Sequence, residues 1–88
     1  MIYLIAYDIS SDKRRRRIEK TLKAKGIRVN FSVFECDLSP PDFEILKIDL
    51  RKLTKKTDHI RIYSICSPCL KNTWEIGRFN STEPIIHI

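Results

Sequence analysis

Residues 1–9 read MIYLIAYDI, an apolar run rich in Ile and Tyr that stops at Asp8 and the serines Ser10 and Ser11. The run is too short for a helix and is bounded by turn formers, so it predicts a buried strand. Alternation sends Ile2, Leu4, Ala6 and Asp8 to one side, and Tyr3, Ile5, Tyr7 and Ile9 to the other. Both sides stay apolar until the strand ends. Both therefore require cover.

Ser10, Ser11 and Asp12 offer N-caps for a helix running to about Lys25, with Gly26 as its C-cap residue. Its apolar stripe is Ile18 and Leu22, one turn apart. Arg14 and Arg15 fall within about 60° of Ile18, Arg17 lies on the flank and Arg16 points to solvent. Arg28–Leu38 (RVNFSVFECDL) alternates, with Val29, Phe31 and Val33 on one face. It reads as one strand, or as two with a bend around Phe34–Cys36. Ser39 before Pro40 and Pro41 opens a second helix. Phe43, Leu46, Leu50 and Leu53 form its buried face, with Ile45 and Ile48 on the far side. His59–Cys66 (HIRIYSIC) predicts another strand, Thr73–Gly77 (TWEIG) a short fourth, and Pro84–Ile88 a last extended piece. Trp74 is assigned to the core.

A chain of 88 residues allows one domain, residues 1–88, with a thin core. The order of elements describes an α/β sandwich of ferredoxin-like βαββαβ kind with an extra C-terminal strand. Two helices cover only one face of such a sheet. The other face is therefore expected to meet a second protomer, giving a homodimer through sheet faces.

Seventeen Lys and Arg against eleven Asp and Glu leave a net charge of +6, which points to a polyanionic partner such as nucleic acid. The densest cluster is Lys13-Arg14-Arg15-Arg16-Arg17. No apolar run approaches the roughly 20 residues of a membrane span, and no Lys/Arg-led signal segment opens the chain. A cytoplasmic protein without a membrane partner is expected. Three cysteines cannot all pair, which argues against a secreted disulfide scaffold.

Asp8 is the first chemical candidate, because a carboxylate after such an apolar run is costly to bury. It also lies at the carboxyl end of a strand, the edge that ligands favour in open α/β sheets. The plainer account is that Asp8 caps the following turn or pairs with Arg14 or Arg15. One Asp per chain is too few for Mg²⁺, but a two-fold axis near Asp8 would bring two together. At about 4 Å the two charges repel by roughly 4 kcal/mol at an effective dielectric of 20, and a divalent cation turns that repulsion into coordination. Arg14, Arg15 and Arg17 lie toward the sheet near Asp8 and can fork onto phosphate oxygens. Lys13 and Arg16 suit a solvated helix face. Cys66-Ser67-Pro68-Cys69 is a CxxC that could be a redox pair or half a zinc site. A thioredoxin-like pair should open a helix, whereas this one ends a strand, so reduced thiols at a turn are expected. His59 and His87 fall in no nucleophile or metal pattern.

Taken together, Met1–Ile9, the Lys/Arg run, Ser32-Val33-Phe34-Glu35 and His59-Ile60-Arg61-Ile62-Tyr63 resemble the second CRISPR-associated protein family across essentially the whole chain. These are small ferredoxin-like proteins of the spacer-acquisition machinery. The resemblance implies a homodimer with facing sheets and a C-terminal strand crossing to the partner. It implies that Asp8 binds metal (Mg²⁺ or another divalent cation) and is catalytic, with Tyr7, Arg15 and Arg17 beside it. Arg14, Arg15, Arg17, Arg28 and Phe34 are the expected nucleic-acid contacts. The expected activity is metal-dependent endonuclease cleavage of single-stranded RNA or double-stranded DNA, alongside the family's integrase partner. The rival expectation is a non-catalytic bridge that binds duplex DNA and joins integrase dimers. A third, an RNA-binding module that stacks bases on sheet aromatics, is weaker because the sheet face is claimed by a partner.

Overall fold

The computed structural model describes residues 1–77. Its elements are β1 (Ile2–Asp8), α1 (Asp12–Lys23), β2 (Gly26–Asn30), β3 (Val33–Asp37), α2 (Pro40–Leu53), β4 (His59–Ile65) and α3 (Ser67–Lys71). The four strands form one antiparallel sheet in the order β2-β3-β1-β4. That is the ferredoxin-like arrangement expected from the order of elements. The most apolar strand, β1, lies inside the sheet between β3 and β4.

The core lies between α1, α2 and one face of the sheet. Tyr3, Ile5, Tyr7 and Ile9 meet Ile18 and Leu22 of α1 and Leu46 and Leu50 of α2, with Phe34 and Cys36 from β3. The helix faces are those that periodicity predicts. Ser11 caps α1 by accepting from the Arg14 N–H, and Ser39 caps α2 by accepting from Asp42. Tyr3 stacks on Phe43 at 3.9 Å between ring centroids, which fastens α2 to the central strand. Ile45 and Ile48 point away from the core, each about half exposed.

Several local expectations are corrected. The bend within Arg28–Leu38 falls at residues 31–32, upstream of Phe34–Cys36. A register shift between Arg28 and Asn30 accompanies it, and the Asn30 side chain accepts from the Phe31 N–H at 2.8 Å. Phe31, expected on one face with Val29 and Val33, instead falls in this turn and is exposed. The C-cap of α1 is Ala24, and Gly26 instead opens β2. A Cβ on Gly26 would lie 2.0 Å from the Glu35 carbonyl oxygen and 2.7 Å from Cys36 Sγ, so close strand approach requires this glycine. Thr73–Gly77 forms no strand, and Trp74 is exposed. Cys66 follows β4, which ends at Ile65, and stands at the N-cap position of α3 without a side-chain cap bond, so the CxxC opens a helix after all. The extended piece expected at Pro84–Ile88 lies outside the described residues.

The sheet face opposite the helices carries Leu4 and Ala6 half-buried and Tyr63 exposed. Glu35 lies on this same face and is nevertheless buried. Its carboxyl is pushed up by burial first and by Glu75 second.

Gly26→Ala is expected to cost about 1–3 kcal/mol through overpacking against β3. The melting temperature should fall by at least about 5 °C for a domain of this size. A variant that melts with the wild type would show that the strands can separate without cost.

Candidate nucleic-acid interface and metal site

Asp8 ends β1 with an exposed side chain. Among the described residues nothing hydrogen-bonds or ion-pairs with it. The plainer account of Asp8 is overturned, because its supposed partners are engaged elsewhere. Arg14 binds Asp58, and Arg15 binds Asp12 at 2.6 Å.

The turn-capping duty belongs to Asp58, a residue the sequence reading did not single out. Its carboxylate accepts Arg14 Nε at 2.7 Å and Arg14 Nη2 at 3.0 Å, a bidentate fork. It also accepts the backbone N–H of Lys55 at 2.9 Å and of Ser10 at 3.3 Å. The side chain has no exposed surface. Asp58 thus ties the turn that follows Asp8 to the loop that precedes β4. The Arg14 hydrogen bond, then that from Lys55, holds its carboxyl well below the usual carboxylate range. Asp58 directly after the Lys55-Lys56-Thr57 turn was the available sequence signal, since Asp often bonds backbone N–H groups of its own turn.

His59 begins β4 directly opposite Asp8 in the β1–β4 register. Residues so paired share a sheet face, with Cβ atoms about 4.5–5.5 Å apart. Arg61 pairs with Ala6 on that same face and reaches the Tyr63 hydroxyl at 3.5 Å. His59 therefore stands opposite the carboxylate on the open face, while the Arg61 guanidinium turns toward Tyr63.

Tyr7, Arg28 and Phe34 gather on the other side of the sheet. The Tyr7 hydroxyl donates to Glu19 Oε2 at 2.5 Å, with the Phe31 carbonyl as a second, more distant acceptor at 3.2 Å for the same proton. Arg28 Nη2 reaches the same Glu19 oxygen at 2.7 Å, and its guanidinium lies 5.3 Å from the Phe34 ring centroid. Burial, and then Glu19, push the Tyr7 hydroxyl to a higher pKa, so it stays protonated at neutral pH. Glu19 was not singled out from sequence. Its one signal is a place beside Ile18 as the only acid after Asp12 on a helix rich in cations.

The expected site residues therefore fall into three groups. Asp8 stands free on the open face. Tyr7, Arg28 and Phe34 form an inner brace, with Phe34 fully buried. Of the arginines on α1, Arg14 is consumed by Asp58 and Arg15 bonds an exposed Asp12. Arg17 is exposed, with no ion pair among the described residues. Among those residues no group of three or more His, Cys, Asp or Glu converges on a metal position.

A carboxyl depressed by folding contributes its stability fully above its ordinary value and loses it as pH falls through the folded value. With an ordinary value of about 4, stability should hold from neutral pH down to about pH 5 and decline in stronger acid. Asp58→Asn should lower the melting temperature at pH 7 and flatten that acid decline. Melting curves of both proteins from pH 7 to pH 2 read this directly.

The family model described as CRISPR associated protein Cas2 matches residues 1–73. A relative from Chloroflexus aurantiacus, named CRISPR-associated endoribonuclease Cas2 1, is 47% identical over 79 residues, 88% of this chain and 85% of the relative. The crystal structure of Streptococcus pyogenes Cas2 at pH 6.5 superposes with a TM-score of 0.76 at 30% identity, covering 88% of this chain and all of that one. A chain in a structure titled Partial Cas6-RT-Cas1--Cas2 complex superposes at 0.64 with 31% identity, covering 85% and 89%. The family match over residues 1–73 and these relatives show that the chain belongs to the CRISPR-associated Cas2 family.

Proposed function

We propose that this protein is a nucleic-acid-binding subunit of CRISPR adaptation that works as a homodimer and cleaves phosphodiester bonds at Asp8 with a divalent cation. One observation carries the proposal. Asp8 is an exposed carboxylate at the end of a central strand, unpartnered among the described residues, in a chain that places other acids nearby in ion pairs. The names of relatives as endoribonucleases make single-stranded RNA the proposed substrate.

The donor set fits Mg²⁺. That ion is held by one or two carboxylates together with waters and substrate phosphates, and a second copy of the chain would bring a second Asp8. When bound, Mg²⁺ would supply Lewis acidity at the phosphate. The chain's own residues do the rest. Arg17, and Arg15 after leaving its surface pair with Asp12, would clamp phosphate oxygens. Asp58 and Arg14 hold the turn behind Asp8. Tyr7, Glu19, Arg28 and Phe34 set the end of β1 from the far side, as positioning residues.

A second reading is a non-catalytic bridge on duplex DNA that joins integrase dimers. The likeness to a chain in the complex named with Cas1 favours it. The two readings diverge at one residue. A nuclease loses Mg²⁺-dependent cleavage in Asp8→Asn while keeping RNA affinity, and a bridge has no cleavage to lose. Assays of wild type and variant on single-stranded RNA and duplex DNA, with and without Mg²⁺, separate them. A wild type freed of contaminating nucleases that cuts neither substrate overturns the enzymatic proposal.

The phosphate clamp predicts a salt dependence. Log affinity for single strands should fall by about 0.7 per contact per log unit of salt, so neutralising Arg15 and Arg17 should flatten the slope by roughly 1.4. Arg16→Ala should change it less. Arg14→Ala should act through stability, because its guanidinium serves Asp58. Equal slope changes from all four would reduce the cluster to a solvated face.

A further inference from the structure

The function proposed above leaves the CxxC unused. Cys66 and Cys69 are both exposed, whereas Cys36 is buried in the core. The helical turn of α3 brings positions three apart to the same side, and the two thiols hydrogen-bond with 2.9 Å between sulfurs. The turn is held by backbone bonds, with Leu70 N–H donating to the Cys66 carbonyl at 2.9 Å. The Thr73 hydroxyl adds a bond to the Cys69 carbonyl at 3.1 Å.

We propose that Cys66 and Cys69 form a reversible dithiol–disulfide couple that exchanges with small-molecule disulfides. Cys66 is the attacking thiol and Cys69 the resolving one. The thiol–thiol contact with Cys69, and then the Cys69 backbone N–H, hold the Cys66 thiol below its ordinary value, while Cys69 is raised by the same contact. In the first step the Cys66 thiolate attacks one sulfur of RSSR. The RS–SR bond breaks, a mixed disulfide forms, and the departing thiolate takes a proton from solvent. Cys69 then gives its proton to solvent and attacks Cys66 Sγ, breaking the mixed bond and releasing the second thiolate, which is protonated in turn. The protein loses two electrons and two protons, and RSSR gains them as two thiols. Burial raises the Cys36 thiol to about 11 and keeps it out of the exchange. The bond would lock the turn by which the chain leaves β4.

Folded wild type incubated with oxidised glutathione tests this by intact mass and peptide mapping. The expected product has lost two hydrogens, carries no glutathione, links Cys66 to Cys69 and returns to dithiol with excess reduced glutathione. Cys69→Ser should trap one glutathione on Cys66. Cys66→Ser should react at Cys69 more slowly than Cys69→Ser reacts at Cys66, because the activated thiol is gone. Cys36→Ser should behave as wild type. Two separate glutathione adducts, a link through Cys36, faster reaction at Cys69 than at Cys66, or no reaction would each overturn the proposal.

Discussion

The two-residue period of β1 governs this molecule. A strand between two neighbours must send alternate side chains to opposite faces, and here one face lies beneath both long helices. Tyr7 therefore goes inward to Glu19, and Asp8 goes outward to water, one residue later. A register slip of one residue would bury the carboxylate and expose the tyrosine. The stack of Tyr3 on Phe43 and the complete burial of Ile5 oppose such a slip.

The polar groups around Asp8 are organised so that it stays free. Asp58 takes Arg14 and the backbone of the turn that follows β1, and Glu19 takes Arg28 and Tyr7. Each duty that might have drawn Asp8 into the structure is performed by another acid. What remains among the described residues is a carboxylate with unused acceptor capacity, opposite His59 in the β1–β4 ladder and close in sequence to a basic helix. A hard cation or a phosphate bridged by one suits that arrangement.

What the sequence made legible follows the range of the forces involved. The strand at β1 and the buried faces of α1 and α2 rest on local periodicity, and they stand as expected. The bend between β2 and β3 does not, because no glycine or proline marks it. It arises from a pairing irregularity and the Asn30 side chain, which only the fold reveals. Gly26 carries the same lesson, since its need for a bare Cα comes from the neighbouring strand. The proline rule that located α2 at Pro40 would have found α3 at Pro68, had it been applied there. Asp8 was legible as a candidate, and its freedom was not. Its freedom depends on Asp58 meeting Arg14 across 44 positions of chain.

The central claim is that the open-face carboxylate of Asp8, and not the inner Tyr7–Glu19–Arg28 brace, is where a divalent cation acts. Substoichiometric Mn²⁺ added to isotope-labelled protein tests this most directly, since the ion broadens the signals nearest to it. The account predicts selective loss of the amide signals of Asp8 and Ser10 and of the His59 signals, while those of the Glu19 and Arg28 side chains persist, and competition by excess Mg²⁺. Broadening centred on Glu19, or on Glu35 and Asp37, or none confined to any site, would contradict it.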